Sequence, residues 1–167
     1  MTVWKHIADC LKRNGTCALV TVAKADGSTP REDGARMVVM GDGSFYGTIG
    51  GGTLEFEAIR RAATAVRDGA PAFLLQNVSL GPDLGQCCGG RAQIAIEVLT
   101  ASSQGIAQEL SRLEAEGTPF STEAHVANGE VSTRHLRSDD TGQRFTLQSD
   151  KKNRQSASDR AIRKPSA

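Results

Sequence analysis

Two adjacent cysteines on a glycine-rich turn are the residues of this chain best suited to chemistry. Cys87 and Cys88 lie within the run Leu80–Gly90, which reads LGPDLGQCCGG. On such a turn both sulfurs can face outward, and a thiolate is both a nucleophile and a soft metal ligand. The backbone N–H groups of Gly89 and Gly90 can then face a ligand too. The pattern predicts a binding turn; the alternative is a tight loop with two small, half-buried thiols.

A second glycine cluster is typical of an anion site. Gly50, Gly51 and Gly52 follow an apolar stretch and lead into a predicted helix over residues 54–67. The first amides of a helix have no partner within it, and the helix dipole favours negative charge there. We therefore expect these amides to point outward and to receive a phosphate. The alternative is that the three glycines only allow two chain segments to cross closely.

A third loop, residues 26–36, carries side chains that suit anions. Ser28 offers a hydroxyl, and Arg31 offers a planar guanidinium that matches phosphate or carboxylate. Pro30 stiffens the turn between them. An ordinary solvated loop is the alternative for this segment taken alone.

In this order, the three loops resemble the N-terminal domain of the XdhC and CoxI family of molybdenum cofactor accessory proteins. The resemblance rests on GSTPRE at 27–32, GTIGGGTLE at 47–55 and the cysteine run at 80–90, and it covers residues 3–100. It implies a chaperone that binds the molybdenum cofactor, molybdopterin. Such a chaperone protects the cofactor during sulfuration with a cysteine desulfurase and delivers it to a molybdenum hydroxylase of the xanthine dehydrogenase type.

On this resemblance the three loops form one cofactor site. The glycine triplet and the helix start would receive phosphate, the polar loop would supplement that cradle or contact the pterin, and the cysteines would lie near the metal. The spacing leaves open whether a thiolate touches molybdenum, carries sulfur in transit or only shapes the loop. The predicted cofactor-binding residues are Ser28, Arg31, Gly50, Gly51, Gly52, Cys87, Cys88, Gly89 and Gly90, with Cys87 and Cys88 as the candidate metal ligands.

The chain departs from the family pattern after residue 100. Full-length members continue into a Rossmann-type domain with a G-x-G turn, and no such turn follows here. We favour the role of a cofactor-binding accessory protein over that of an enzyme. Two other interpretations nevertheless stay open. The chain could be a non-catalytic scaffold that contacts the client enzyme and the desulfurase. It could also be a thiol-dependent enzyme with Cys87 or Cys88 as nucleophile and Arg31 or the glycine amides stabilising negative charge.

Composition suggests a cytoplasmic protein with one modest core. The chain has 167 residues, 38% of them hydrophobic, and no apolar run approaches the roughly 20 residues that span a bilayer. Its first residues do not resemble a secretory signal. Cysteines at positions 10, 17, 87 and 88 do not form a disulfide framework. We expect no membrane partner, and a homo-oligomer is left open.

The chain divides into three predicted parts. Residues 1–100 form the family-like domain, residues 101–149 a helix with a hairpin-like extension around Asn128–Gly129, and residues 150–167 a disordered basic tail. The tail has six Lys or Arg against two Asp. Without interleaved aromatic residues or a known module, it does not indicate nucleic-acid binding.

The apolar pattern predicts an α/β or α+β fold. A small, mostly antiparallel or mixed sheet should carry two or three helices, with the glycine-rich loops at one edge. Ile94, Ile96 and Val98 alternate with polar or small residues, which predicts a strand buried on one face only. The other predicted strands are 17–23, 37–40, 44–49 and 73–78, and the other predicted helices are 2–14 and 103–117.

Overall fold

The computed structural model describes residues 2–81, 89–132, 134–137, 146–149 and 156–160, the last two stretches by their backbone alone. It confirms the predicted fold class, with three α-helices and two antiparallel sheets in the described part. The helices are α1 (Val3–Asn14), α2 (Gly52–Asp68) and α3 (Gln104–Glu116), the last preceded by a 3-10 turn at Ala101–Ser103. The strands of the first sheet are β1 (Thr16–Asp26), β2 (Arg36–Val39), β3 (Phe45–Gly47), β4 (Phe73–Ser79) and β5 (Arg91–Thr100).

Each helix ends where a glycine follows it. Gly15, Gly69 and Gly117 all adopt left-handed backbone conformations, with φ of 75°, 69° and 69°. A side chain is strained in this region, which is why glycine is the usual residue after a helix. At the end of α1 the Gly15 amide donates to Leu11 O at 2.9 Å, which satisfies one terminal carbonyl.

The first sheet has the strand order β3-β2-β1-β5-β4, and every pair in it is antiparallel. The long β1 and β5 pair from Thr16 with Thr100 to Asp26 with Arg91. The register shifts between Val22 and Lys24, the mark of a β-bulge. Strands β4 and β5 continue into the cysteine run from their paired ends, so both ends of that run leave the sheet together.

Helices cover both faces of this sheet. Helix α2 packs Ala58 and Ala62 against Val20 and Ile94 on one face. Helices α1 and α3 pack against the other face, where Trp4 and Leu110 lie among the core residues. Each large apolar side chain buried there contributes about 1.5–3 kcal/mol through removal from water.

The prediction that β5 is buried on one face is wrong. Ala95 and Glu97, assigned to the solvent face, are buried, whereas Val98 is only half-buried. The reason is that helices and the second sheet cover the face that alternation alone had left to solvent. Glu97 tolerates burial because it forms an ion pair with the buried Arg134, which also donates to Thr122 Oγ1 at 2.7 Å.

The second sheet lies in the C-terminal part of the chain. The hairpin predicted at Asn128–Gly129 is confirmed: both residues have positive φ, 53° and 77°, and Ala127 pairs with Glu130. Residues 156–160, inside the predicted tail, form a strand that pairs with Ser121–Ala127. The strands here are β6 (Ser121–Ala127), β7 (Glu130–Val131), β8 (His135–Arg137), β9 (Thr146–Ser149) and β10 (Ser156–Arg160).

Among the described residues, no helix is both long and apolar enough to cross a membrane.

Candidate functional site

The polar loop after β1 lies against the end of the cysteine run. Gly90 donates its amide hydrogen to Ser28 O at 3.1 Å, and Gly90 O accepts from Leu80 N at 2.9 Å. We call Leu80 and Gly90, the two ends of the cysteine run, its neck. The bond between Leu80 and Gly90 joins the two ends, and the bond from Gly90 to Ser28 fixes them to the polar loop. Leu80 is fully buried and anchors the neck in the core beneath α2.

Close approach explains why position 90 is glycine. A Cβ atom added there would lie 2.3 Å from Ser28 O and 2.6 Å from Asp26 O, both backbone atoms. Neither atom can move without disturbing the sheet end, so any side chain is excluded. Gly89 has open space around it instead, because no atom of the described residues lies within 4 Å of the place that a Cβ atom would take there.

The same polar loop also contacts the glycine triplet. A Cβ on Gly50 would lie 2.6 Å from two ring atoms of Pro30 and 3.5 Å from Arg31 Cγ. Gly50 also has a φ of +125°, which side chains rarely adopt. The structure therefore brings together Ser28, Arg31, Gly50 and Gly90 around one loop.

The amides of the glycine triplet have a partner that the sequence analysis missed. The Glu55 carboxylate, on the first turns of α2, accepts hydrogen bonds through Oε2 from Gly51 N at 3.1 Å and Ile49 N at 2.9 Å. Thr48 Oγ1 donates to the same oxygen at 2.5 Å and accepts from Gly50 N at 3.0 Å. The expectation that the amides of Gly50 and Gly51 point outward unpaired is therefore wrong, because a carboxylate of the chain occupies the cradle.

These hydrogen bonds decide the ionisation of Glu55. Burial by itself would raise the pKa of this carboxyl group, but the hydroxyl of Thr48 and the amides around it lower the pKa below its usual value. Glu55 is therefore ionised at neutral pH and provides the negative charge at the start of α2. Among the described residues, the Gly52 amide is the member of the triplet without a side-chain acceptor.

Ser28 and Arg31 both reach the surface of the polar loop. Ser28 is exposed, and Arg31 is partly exposed with its Nε 3.3 Å from Glu32 Oε2. Such an exposed ion pair is weak, so the guanidinium can exchange its partner at little cost.

The candidate metal ligands Cys87 and Cys88 lie outside the described residues, and their role remains a prediction. The other two cysteines, Cys10 on α1 and Cys17 on β1, are free thiols buried in the core between these two elements. Cys17 and the nearby Asn14 lower the pKa of Cys10 to about 7, through hydrogen bonds to its sulfur that outweigh burial. No group of three His, Cys, Asp or Glu side chains in the described part could hold a metal ion.

A polar pocket of about 440 Å³ lies on the sheet beside the neck of the cysteine run. Its floor is two rows of cross-strand neighbours, in which Asp26 pairs with Arg91 and Arg91 with Ser79, and Lys24 pairs with Gln93 and Gln93 with Asn77. Residues opposite each other in a sheet present their side chains to the same face. All six of these residues line the pocket.

Sequence analysis missed this pocket. Alternating polar residues at the ends of β4 and β5, Asn77 with Ser79 and Arg91 with Gln93, were the available signal. The pairing register that aligns them with Lys24 and Asp26 could not be obtained from the sequence.

Side chains of the polar loop and of the polar pocket match the pterin and phosphate parts of a molybdopterin in their chemistry. Hydroxyl, amide and guanidinium groups are present at Ser28, Arg31, Arg91, Asn77 and Gln93. These groups supply the donors and acceptors that a flat heterocycle and a phosphate need. These groups include no soft ligand for the metal, which Cys87 and Cys88 would have to supply.

Comparison with known proteins supports the fold. A crystal structure of a xanthine dehydrogenase from Bacillus halodurans superposes with a TM-score of 0.68 over 83% of this chain and 43% of that one, at 18% identity. The uncharacterized protein YqeB of Escherichia coli (strain K12) is 33% identical over 100 residues, which are 59% of this chain and 18% of that protein. The chain thus spans less than half the length of either protein.

The first two sequence motifs fall inside a family match. The XdhC and CoxI family model matches residues 10–77, which include the polar loop, the glycine triplet and α2. The run at 80–90 lies just beyond the match. Over residues 10–77, this chain therefore matches the XdhC and CoxI family.

Proposed function

We propose that the surface formed by the three loops binds the molybdenum cofactor and that the chain serves the maturation of a molybdenum hydroxylase of the xanthine dehydrogenase type. The observation that carries the proposal is the convergence of the loops: Gly90 is hydrogen-bonded to Ser28, and Gly50 packs against Pro30. Three loops that are far apart in sequence thereby contribute to one surface. The match to the XdhC and CoxI family at residues 10–77 supports the same role.

The chemistry of the cofactor matches this surface. Molybdopterin carries a phosphate, a hydrogen-bonding pterin and a metal held by soft sulfur ligands. Arg31 would contact the phosphate or the pterin after leaving Glu32, and Ser28 would add a hydroxyl. In the sequence, Cys87 and Cys88 come shortly before Gly90, whose amide is hydrogen-bonded to Ser28 O. In the proposal they hold the molybdenum end or receive sulfur from a cysteine desulfurase.

The protein would act as a carrier. When bound, the cofactor supplies the metal and its sulfido ligand, and the chain contributes binding, orientation and shielding. The hydrogen-bonded neck at Leu80 and Gly90 supports this role, because a site that holds a cofactor needs its loops fixed by the scaffold.

Retention of the cofactor tests the proposal. The protein is incubated with molybdenum cofactor and passed through gel filtration, and molybdenum and pterin are measured in the protein fraction. We expect both to elute with the protein in about equal amounts. Absence of both would contradict the carrier role and favour a scaffold, whereas thiol-dependent turnover of a substrate would favour an enzyme.

The thiols are tested with a paired substitution. Changing Cys87 and Cys88 to Ser removes the soft ligands while nearly keeping side-chain size, so molybdenum retention should fall while pterin binding persists. Cys10→Ser is the matched control: Cys10 lies on the buried face of α1, so this substitution should leave retention unchanged. Unaltered molybdenum retention in the double variant would remove these cysteines from the site.

A further inference from the structure

The polar pocket beside the cysteine run differs from the glycine triplet in what its charges contact. At the triplet, the Glu55 carboxylate already accepts from Gly51 and from Ile49. A phosphate there would have to displace this carboxylate and then lie beside its charge. At the pocket, the exposed Arg91 guanidinium makes no hydrogen bond or ion pair with any described side chain.

We propose that this pocket, and not the glycine triplet, receives the phosphate of a pterin phosphate, with Arg91 and Lys24 as its cationic contacts. The inference rests on the proposed function, since it assigns the phosphate of that cofactor to a pocket that adjoins the polar loop at Asp26. The volume of about 440 Å³ lies in the range of small-molecule sites. The pocket carries two cations and one carboxylate, Asp26, so its net charge favours an anion.

The side-chain amides of Gln93 and Asn77 give the pocket a place to bind the pterin ring. Gln93 Nε2 donates to Asn77 Oδ1 at 3.0 Å. This leaves the Asn77 amide hydrogens and the Gln93 carbonyl oxygen as a donor and an acceptor on neighbouring strands. A pterin presents alternating donors and acceptors along its edge and can pair with both.

Asp26 forms an ion pair with Lys24, one of the two cations of the pocket. Lys24 Nζ lies 3.1 Å from Asp26 Oδ2, and both side chains are exposed. Ligand phosphate and Asp26 therefore compete for the same ammonium group. Removing the Asp26 charge should strengthen phosphate binding, and removing the Arg91 charge should weaken it.

Two probes separate the phosphate from the ring: a pterin bearing a phosphate monoester, and the same pterin without phosphate. Binding of each is measured by quenching of pterin fluorescence. Arg91→Gln should weaken binding of the phosphate form about tenfold and leave the phosphate-free form unchanged. Asp26→Asn should tighten binding of the phosphate form about threefold, and this gain should shrink as salt is raised.

Controls keep the test decisive. Lys12→Gln removes a cation from α1, outside the pocket, and should not change either affinity. Arg91→Lys keeps the charge and should retain most of the binding, which shows whether charge or packing matters. Equal affinity of wild type and Arg91→Gln for the phosphate form, or an equal loss for both probes, would overturn the assignment.

The outcomes also separate this inference from the proposed function. Retention of the molybdenum cofactor by the wild type and by Arg91→Gln alike would support the carrier role and refute the phosphate pocket. Binding of pterin phosphate that depends on Arg91, without retention of the complete cofactor, would support the pocket and refute the carrier role.

Discussion

The two glycine-rich turns that contact the polar loop differ in what their polar groups do. At Gly50 and Gly51 the chain itself supplies the hydrogen-bond acceptors, because Thr48 and Glu55 accept hydrogen bonds from the backbone amides. At Gly90 the turn is fixed by backbone contact with Ser28, and the neighbouring Arg91 has no partner among the described side chains. A glycine cluster before a helix is therefore not sufficient for an anion site. Its amides bind an external anion only when no carboxylate of the chain reaches them.

The largest effect should follow from Gly90→Ala. The added Cβ would lie 2.3 Å from Ser28 O, and backbone on both sides prevents relief. We expect a loss of at least about 3 kcal/mol in the free energy of unfolding, since overpacking against backbone cannot relax. Chemical denaturation measures it. Gly89→Ala is the matched control at the neighbouring position: no atom of the described residues lies within 4 Å of its added Cβ, so its cost should stay below about 0.5 kcal/mol. Equal losses at both positions would contradict the described neck.

The second comparison lies within the glycine triplet. The Cβ added by Gly51→Ala meets no atom of the described residues within 4 Å. The φ of +76° and ψ of −170° suit glycine alone, however, so we expect a loss of about 1–3 kcal/mol. Gly50→Ala adds contact with the Pro30 ring at 2.6 Å to a similar backbone strain. It should therefore cost about 1 kcal/mol more in thermal or chemical unfolding. A smaller loss for Gly50→Ala would mean that Pro30 does not pack there.

Much of the scaffold could be predicted from the sequence, because local signals specify it. Helix ends at Gly15, Gly69 and Gly117 follow from the need for left-handed backbone, and the Asn128–Gly129 hairpin follows from the same rule. The extent of β1 did not follow, since its last residues pair with β5 only through a bulge near Lys24.

The candidate site was harder to predict because it depends on contacts between distant residues. Glu55 looks like an ordinary surface residue of a helix, and only the folded turn shows that its carboxylate reaches Ile49 and Gly51. Arg91 and Lys24 become neighbours of one pocket only through the sheet register. Nothing in a single sequence reports that register.

Glu55→Gln tests whether the internal carboxylate organises the triplet. The amide can still accept one hydrogen bond but loses the charge, so we expect a loss of about 1–2 kcal/mol at pH 7, reduced by partial solvent exposure. The lowered pKa of Glu55 also predicts a pH dependence. Its contribution is fully present above the usual value of 4.5 and is lost as pH falls through the lower folded pKa.

Measured unfolding free energies of wild type and Glu55→Gln should therefore converge in acid. A gap that stays constant down to about pH 3 would show that the charge of Glu55 does not matter. Glu57→Gln is the matched control on the same helix, because the described partner of Glu57 is the exposed Arg60. Its effect on stability should be at most about 0.5 kcal/mol.

The smallest expected effect concerns Arg31, on the loop that both turns contact. Its ion pair with Glu32 is exposed on both sides, so Arg31→Ala should change the free energy of unfolding by less than about 0.5 kcal/mol. Cofactor affinity should fall by a few-fold only, roughly 2–5-fold, because any phosphate contact first has to replace Glu32. Glu32→Gln should change cofactor affinity in the opposite direction. It releases the Arg31 guanidinium, so the affinity measured in the same binding assay should rise. If both variants weaken binding, the loop acts through its shape, and the positive charge of Arg31 does not contribute to the site.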